Sequence, residues 1–404
     1  MFEPMSEAFA DNPYQFYAKL RELDEPYFYE DINVYLLSKY PDVDGAARNP
    51  KLVRSQDLFL DQDDVKAHQR ARNWHDMPNH ERFVQSNLLE RDGDSHFRLR
   101  VIAMRALTKS CVDSIRQSLN TKVDALLNQL MQKSEIDFVA DFASLIPAYT
   151  IGDLLGVPHE DRYLLRDWSN NIVQFYDVER TQAHKLLAEN ATTDFYLYLS
   201  DLVARKRKKP KEDLISSLVL ARDAGEMSES ELISMCMLIL TAGHGSTIDA
   251  LGSGMYALAS NPGQMSLLRR EPSYIQRAVQ EIFRYESPLP FFHRFASEAL
   301  DLNGKTYPKG TKFGLLYGSA NRDPEYWPSA DTFSIARDQN RHIAFGRGAH
   351  LCLGNRLSGL TLEVALLEIL KSTRNIEITH PKPTFKTGLS SRGLTSLGVA
   401  LIPK

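Results

Sequence analysis

Phe345-Gly346-Arg347-Gly348-Ala349-His350-Leu351-Cys352-Leu353-Gly354 sets one cysteine among three glycines, directly ahead of a segment from Asn355 to Leu370 whose apolar residues recur at helical spacing. Glycines here let the backbone take positive φ and approach a bulky partner more closely than residues with a Cβ can. Cys352 therefore falls at or near a helix N-terminus, where unpaired amides and the dipole stabilise a thiolate and temper its electron donation. A lone cysteine can also be a small buried hydrophobe. Zinc is a poor alternative, because Cys111 and Cys236 are remote and no two cysteines have zinc-site spacing. Gly304-Lys305-Thr306 lacks the glycine five residues earlier that a phosphate loop needs, since Ala299 stands there.

The ten residues together (Phe, Gly, any, Gly, any, His, any, Cys, any, Gly) resemble the haem-binding loop of the cytochrome P450 family, in which a cysteine thiolate pushes electron density onto iron. The resemblance implies a mainly α fold with small β-sheets, a long central helix over the haem and the cysteine loop beneath it. It implies haem b as cofactor, Cys352 as axial ligand of the iron, and Phe345 and Gly354 packed beside the ligand.

Composition agrees with such an enzyme. A chain of 404 residues can bury a large core, and the reading along it gives one catalytic unit over residues 1–404. Net charge is −4 with 25% charged residues, so neither a nucleic-acid partner nor a polybasic membrane tether is indicated. Three scattered cysteines make no disulfide framework and fit a reducing cytoplasm. The acidic start Met1-Phe2-Glu3-Pro4 does not read as a signal peptide. The longest strongly apolar stretch, Met235 to Ala242, is too short for a bilayer span, so the expectation is a soluble, cytoplasmic protein with no membrane partner.

Along the chain, Tyr14, Tyr17, Leu20 and Leu23 predict a helix, and 26–38 predicts a hairpin turning at Asp31 and Asn33. Residues 55–94 are polar and aperiodic, a long loop with short helical pieces that in the family covers the substrate pocket. Helical patterning dominates 97–225, with the basic run Arg205 to Lys209 read as a solvated turn. Ser228 caps a long helix reaching about Ser260, and another helix follows Pro272. Short strands are expected over 299–316 and again over 376–403.

Glu281 and Arg284, three apart on one helix face, match the family's Glu-x-x-Arg lock about 70 residues before the cysteine and are read as structural. Haem propionates need cations or donors. His96 and Arg100 match the family's pair on the helix above them, Arg294 the arginine of the adjoining strand, while His342 and His350 are further candidates. On the long helix, Ala242-Gly243-His244-Gly245-Ser246-Thr247 corresponds to the oxygen-activating motif. By the resemblance Ala242 and Gly243 lie against the haem, and Ser246 and Thr247 are the catalytic candidates. Ser246 stands where the family has threonine and can bond the carbonyl of Ala242. The acid is missing, because Gly245 occupies its place.

The implied reaction is insertion of one oxygen atom from O2 into a small to medium apolar organic substrate, a hydroxylation or epoxidation typical of secondary metabolism. Electrons would come from a separate ferredoxin or flavodoxin with an NAD(P)H-dependent reductase, docking on the Cys352 side near Arg347, Arg356 and Arg105. Gly245 leaves oxidative coupling, desaturation, C–C cleavage or peroxide-driven oxidation open, and a non-catalytic haem sensor or carrier is the competing class. Substrate contacts are expected from the loop 61–89, Ile239 and Ala242, Leu289 to Phe292 including Phe291 and Phe292, and Ser391 to Leu394.

Overall fold

The computed structural model describes residues 2–71, 73–173, 181–338, 340–380 and 382–404. Part of the helical region expected over 97–225, residues 174–180, lies outside the described residues, as does residue 72 of the substrate loop.

The longest element is the central helix Glu229–Ala259. Ser228 accepts from the Glu231 amide while the Glu231 side chain accepts from the Ser228 amide, a capping box that satisfies two otherwise orphaned donors. Most of its residues are buried, against Pro78–Ser86, Ile146–Leu155, Arg162–Val173 and Ile275–Tyr285. This helix and Phe138–Leu155 are long and apolar enough to cross a membrane by length and composition alone, yet both lie mostly inside the protein, as core segments do.

The β portion is small. Strands Tyr27–Tyr29, Val34–Leu37, Lys312–Leu315, Phe292–Ala296 and Leu52–Val53 form a sheet in that spatial order. The first pair is the expected hairpin, turning through Glu30–Ile32 with Asn33 at φ 49°. Val34–Leu37 then pairs in parallel with Lys312–Leu315, a contact across the chain that no local pattern announces. A second sheet joins Ile136–Asp137, Gly398–Pro403 and Thr373–Ile378, and a two-stranded ribbon joins Leu300–Leu302 to Lys305–Tyr307.

One expectation is refined and another needs correction. The polar stretch 55–94 contains two regular helices, Gln62–Ala71 and Pro78–Ser86. The first buries no side chain and the second only His80 and Phe83, so neither has an apolar stripe to read. The basic run is the last turn of helix Gln182–Lys208, where cations suit the helix dipole, and Lys206 is buried against Asp213.

Candidate active site

The cysteine loop closes on itself by a hydrogen bond from the Cys352 amide to the Phe345 carbonyl, 2.9 Å. Gly346 and Gly348 take φ 70° and 67°, and a Cβ on Gly348 would stand 2.6 Å from the Ala47 carbonyl oxygen. Helix Asn355–Ser372 begins three residues after Cys352. Burial pushes the Cys352 thiol up, while the Gly354 amide, Arg100 and the Asn355 amide pull the other way. The thiol lies deep within the molecule and is nevertheless exposed, the combination of a side chain facing an internal space. Phe345 packs on Phe283 with ring centres 4.6 Å apart. Arg100 donates to the Leu351 carbonyl at 2.5 Å, tying helix Gly93–Ala106 to the loop.

Beside the loop lies a cluster of unneutralised donors. His96 is buried, its Nε2 has no hydrogen-bond partner among the described residues, and its ring stands 4.4 Å from that of His350. Burial, then His350 and Arg100, hold His96 down to about 4. His350 meets Asp92 at 2.8 Å, and Asp92 also accepts from the amides of Arg54 and Ser55. Burial alone would raise the Asp92 carboxyl, but His350 and those amides leave it below the ordinary range. Arg294 is 3% exposed, donates to the His293 carbonyl and has no ion pair among the described residues. A buried cation without an ion pair among the described residues, beside an orphaned imidazole nitrogen, is a donor set that suits a carboxylate-bearing cofactor. The thiol facing an internal space and this cluster fit a haem with its propionates. His342 does not join them: Nε2 meets Gln280 at 2.9 Å and Nδ1 accepts from the Ala344 amide, so both ring nitrogens are used within the protein.

Across the molecule a cavity of about 1420 Å³ opens against the central helix. Its helical wall is Leu238, Thr241, Ala242, Gly245, Ser246 and Asp249, the i, i+3, i+4, i+7, i+8, i+11 stripe of one face. Ser246 Oγ donates to the Ala242 carbonyl at 2.8 Å, as its type and position predict. Thr247 is turned away: it is 5% exposed, spends its hydroxyl on the Gly243 carbonyl and does not line the cavity. Gly243 also serves another neighbour, since a Cβ there would stand 3.2 Å from Ile151 Cδ1, whereas a Cβ on Gly245 would meet nothing within 4 Å.

Leu289, Phe291 and Phe292 line the cavity. Ile239 does not, being one residue out of phase with Leu238. Leu394 is buried in the main core instead, and Leu389, Ser390 and Ser391 form that part of the wall. Sequence reasoning missed the inward position of Asp249 and its ion pair with Lys386. It also missed Arg54, buried on the wall and paired with Glu90.

Glu281 and Arg284 are fully buried and bidentate, at 2.7 and 2.8 Å. Arg284 donates further to the carbonyls of Asn321, Ala330 and Thr332, and Glu281 accepts from the Ser334 amide and Asn340. One buried pair thus gathers the segment from 321 to 340 that leads into the cysteine loop, a task suited to the guanidinium's fork.

The family model for cytochrome P450 matches residues 58–395. The chain belongs to the cytochrome P450 family. The polyketide biosynthesis cytochrome P450 PksS of Bacillus subtilis is 31% identical over 412 residues, covering 99% of this chain and 98% of that one. A vitamin D(3) 25-hydroxylase of Pseudonocardia autotrophica is 33% identical over 404 residues, covering 96% and 95%. Among solved structures, P450BioI in complex with an acyl carrier protein bearing hexadec-9Z-enoic acid aligns with TM-score 0.89 at 27% identity, over 98% of this chain and 99% of that one. This cytochrome P450 is therefore a monooxygenase oxidoreductase whose cofactor is haem b, on the predominantly helical P450 fold.

Proposed function

We propose that residues 1–404 act as one catalytic unit that inserts one oxygen atom from O2 into an apolar organic substrate, and that Cys352 is the residue that would hold the haem iron. The observation that carries this is the deep but exposed Cys352 thiol in a loop closed onto Phe345, with the buried Arg294 and the orphaned His96 Nε2 beside it. Haem supplies the oxygen-activating redox chemistry when bound. The Cys352 sulfur would donate electron density to the haem, and the Gly354 amide, Arg100 and the Asn355 amide favour its thiolate form. Arg294, His96 and Arg100 are the residues that would hold the propionates, with His350 kept in place by Asp92. Ser246, anchored on the Ala242 carbonyl, can orient a water and pass a proton through its hydroxyl oxygen. Leu289, Phe291 and Phe292 exclude bulk water and orient the apolar body of the substrate. The cavity exceeds the roughly 300–1,000 Å³ usual for one small molecule, which supports room for a substrate above the cofactor.

Electrons arrive from a separate ferredoxin or flavodoxin and its reductase. Phe97, Val101 and Met104, exposed at i, i+4, i+7 on the helix that holds Leu351 through Arg100, support docking on this side. Of the three arginines expected there, Arg356 is exposed, Arg347 bonds the Arg341 and His342 carbonyls and Arg105 is paired with Glu226. A cytoplasmic location suits these partners and three free cysteines.

A second reading rests on Gly245. With no carboxyl at that position, proton delivery fits an altered outcome such as oxidative coupling, desaturation, C–C cleavage or use of peroxide. The reduced carbon monoxide difference spectrum tests the common foundation. A red-shifted Soret band that disappears in Cys352→Ser is expected, and its absence from the wild type overturns thiolate ligation. Product formation with a ferredoxin system, compared with peroxide alone, separates the two readings.

A further inference from the structure

Asp249 and Lys386 form an ion pair in the cavity wall, Nζ to Oδ1 2.7 Å, between residues 137 apart in sequence. Asp249 is 2% exposed and is held from the helix side. Lys386 is held from a hairpin whose strands meet at Phe385 and Leu394, its own amide donating to the Gly393 carbonyl at 2.9 Å. A Cβ on Gly393 would collide with the Asp249 carboxylate, so this turn is fitted to the aspartate. The same cavity wall includes the apolar Leu238, Leu289 and Phe291.

The pair is formally neutral, yet its hydrogen-bonding capacity is not exhausted. Lys386 has three N–H donors and gives one to Asp249, and its side chain remains 38% exposed. Asp249 accepts at Oδ1, leaving Oδ2 as an acceptor. Burial raises the Asp249 carboxyl, and the charge and hydrogen bond of Lys386 oppose that rise. A hydroxyl is the group that complements an adjacent donor and acceptor, because it accepts from one and donates to the other. A substrate carboxylate would meet the Asp249 charge, and an ammonium would meet that of Lys386.

We propose that the Asp249–Lys386 pair is a specificity element of this cytochrome P450 that takes a hydroxyl group on an otherwise apolar substrate, the hydroxyl accepting from Lys386 Nζ and donating to Asp249 Oδ2. This rests on the reading of the cavity as the substrate site.

The test is calorimetric titration of the haem-loaded enzyme with dodecan-1-ol, dodecanoate and 1-chlorododecane. The alcohol binds about tenfold or more tighter than the other two, since hydrogen bonds to charged groups carry effects of that order. Lys386→Met abolishes the advantage. Asp249→Asn removes the negative charge and releases Lys386, so dodecanoate gains about tenfold and overtakes the alcohol. Equal binding of the three ligands by the wild type, or an unchanged dodecanoate affinity in Asp249→Asn, overturns the proposal. The reduced carbon monoxide spectrum is taken on the same samples. A thiolate band without alcohol preference overturns the hydroxyl assignment alone, whereas no such band in the wild type overturns the monooxygenase reading.

Discussion

At the residue scale, Gly245 separates this chain from the usual acid and alcohol arrangement. A Cβ there meets nothing within 4 Å, and the position lies on the cavity stripe next to Ser246, so a side chain at 245 starts without a clash and Gly245→Glu restores an acid to that wall. The helix also gains, because glycine in a helix interior costs roughly 0.5–1 kcal/mol relative to residues with side chains. If Ser246 and water alone limit proton delivery, the variant yields more product per NADH with the product unchanged. A different product, or a fall in coupling, would instead support chemistry adapted to the glycine. The companion variant Ser246→Ala removes the hydroxyl that bonds the Ala242 carbonyl. Loss of one positioned proton donor lowers turnover by about 10²-fold or more, while substrate affinity stays near the wild-type value. Titration and steady-state rates on one preparation check both halves. The departure at 245 was readable from sequence, since it needs only a register. The inward position of Asp249 was not, because its helical phase is settled only by which neighbours cover the other face, and Lys386 comes from 137 residues away.

At the scale of elements, the helix Ile275–Tyr285 and the segment it anchors depend on one guanidinium. Arg284 is 0% exposed and supplies five bonds, two to Glu281 and three to carbonyls of 321–332. Lysine keeps the charge but cannot fork, so Arg284→Lys leaves buried carbonyls without donors, each costing about 1–3 kcal/mol. The expected result is a protein that retains its helical circular dichroism but holds haem poorly and shows loss of the thiolate band. Full haem occupancy in Arg284→Lys would show that the carbonyl contacts are dispensable. Elements were legible where a pattern is local: the Ser228 cap, the Asn33 turn and the glycines of the cysteine loop each announce a conformation within a few residues. Helix Gln62–Ala71 was not, because it buries nothing and so lacks an apolar period. His342 had the right residue type near the right place, but its ring nitrogens were already claimed by Gln280 and the Ala344 amide.

At the scale of the whole molecule, acid stability is governed by histidines that the fold keeps neutral far from one another. His244, 0% exposed on the central helix, is held down to about 4, by burial first and then by Arg166. His342, 5% exposed near the cysteine loop, is held down to about 3, by burial and then by Arg347 and Arg284. Both start from an ordinary value of 6.5 in the unfolded chain. Between that value and the folded one, the unfolded state binds a proton that the folded state refuses, so stability is complete above about pH 6.5 and falls as pH drops. At about 1.4 kcal/mol per pH unit, each histidine costs about 2 kcal/mol at pH 5 and almost nothing at pH 7.5. His244→Leu removes one of these protons while leaving the pocket apolar, so its urea midpoint at pH 5 lies closer to its own midpoint at pH 7.5 than the wild type's does. Haem binding cannot produce that difference, because the effect is read within each protein across pH and His244 lies off the cavity wall. An acid slope in His244→Leu as steep as in the wild type would mean that the buried imidazole is protonated in the folded protein, and the central helix would then carry a buried charge beside the Arg166 that opposes it.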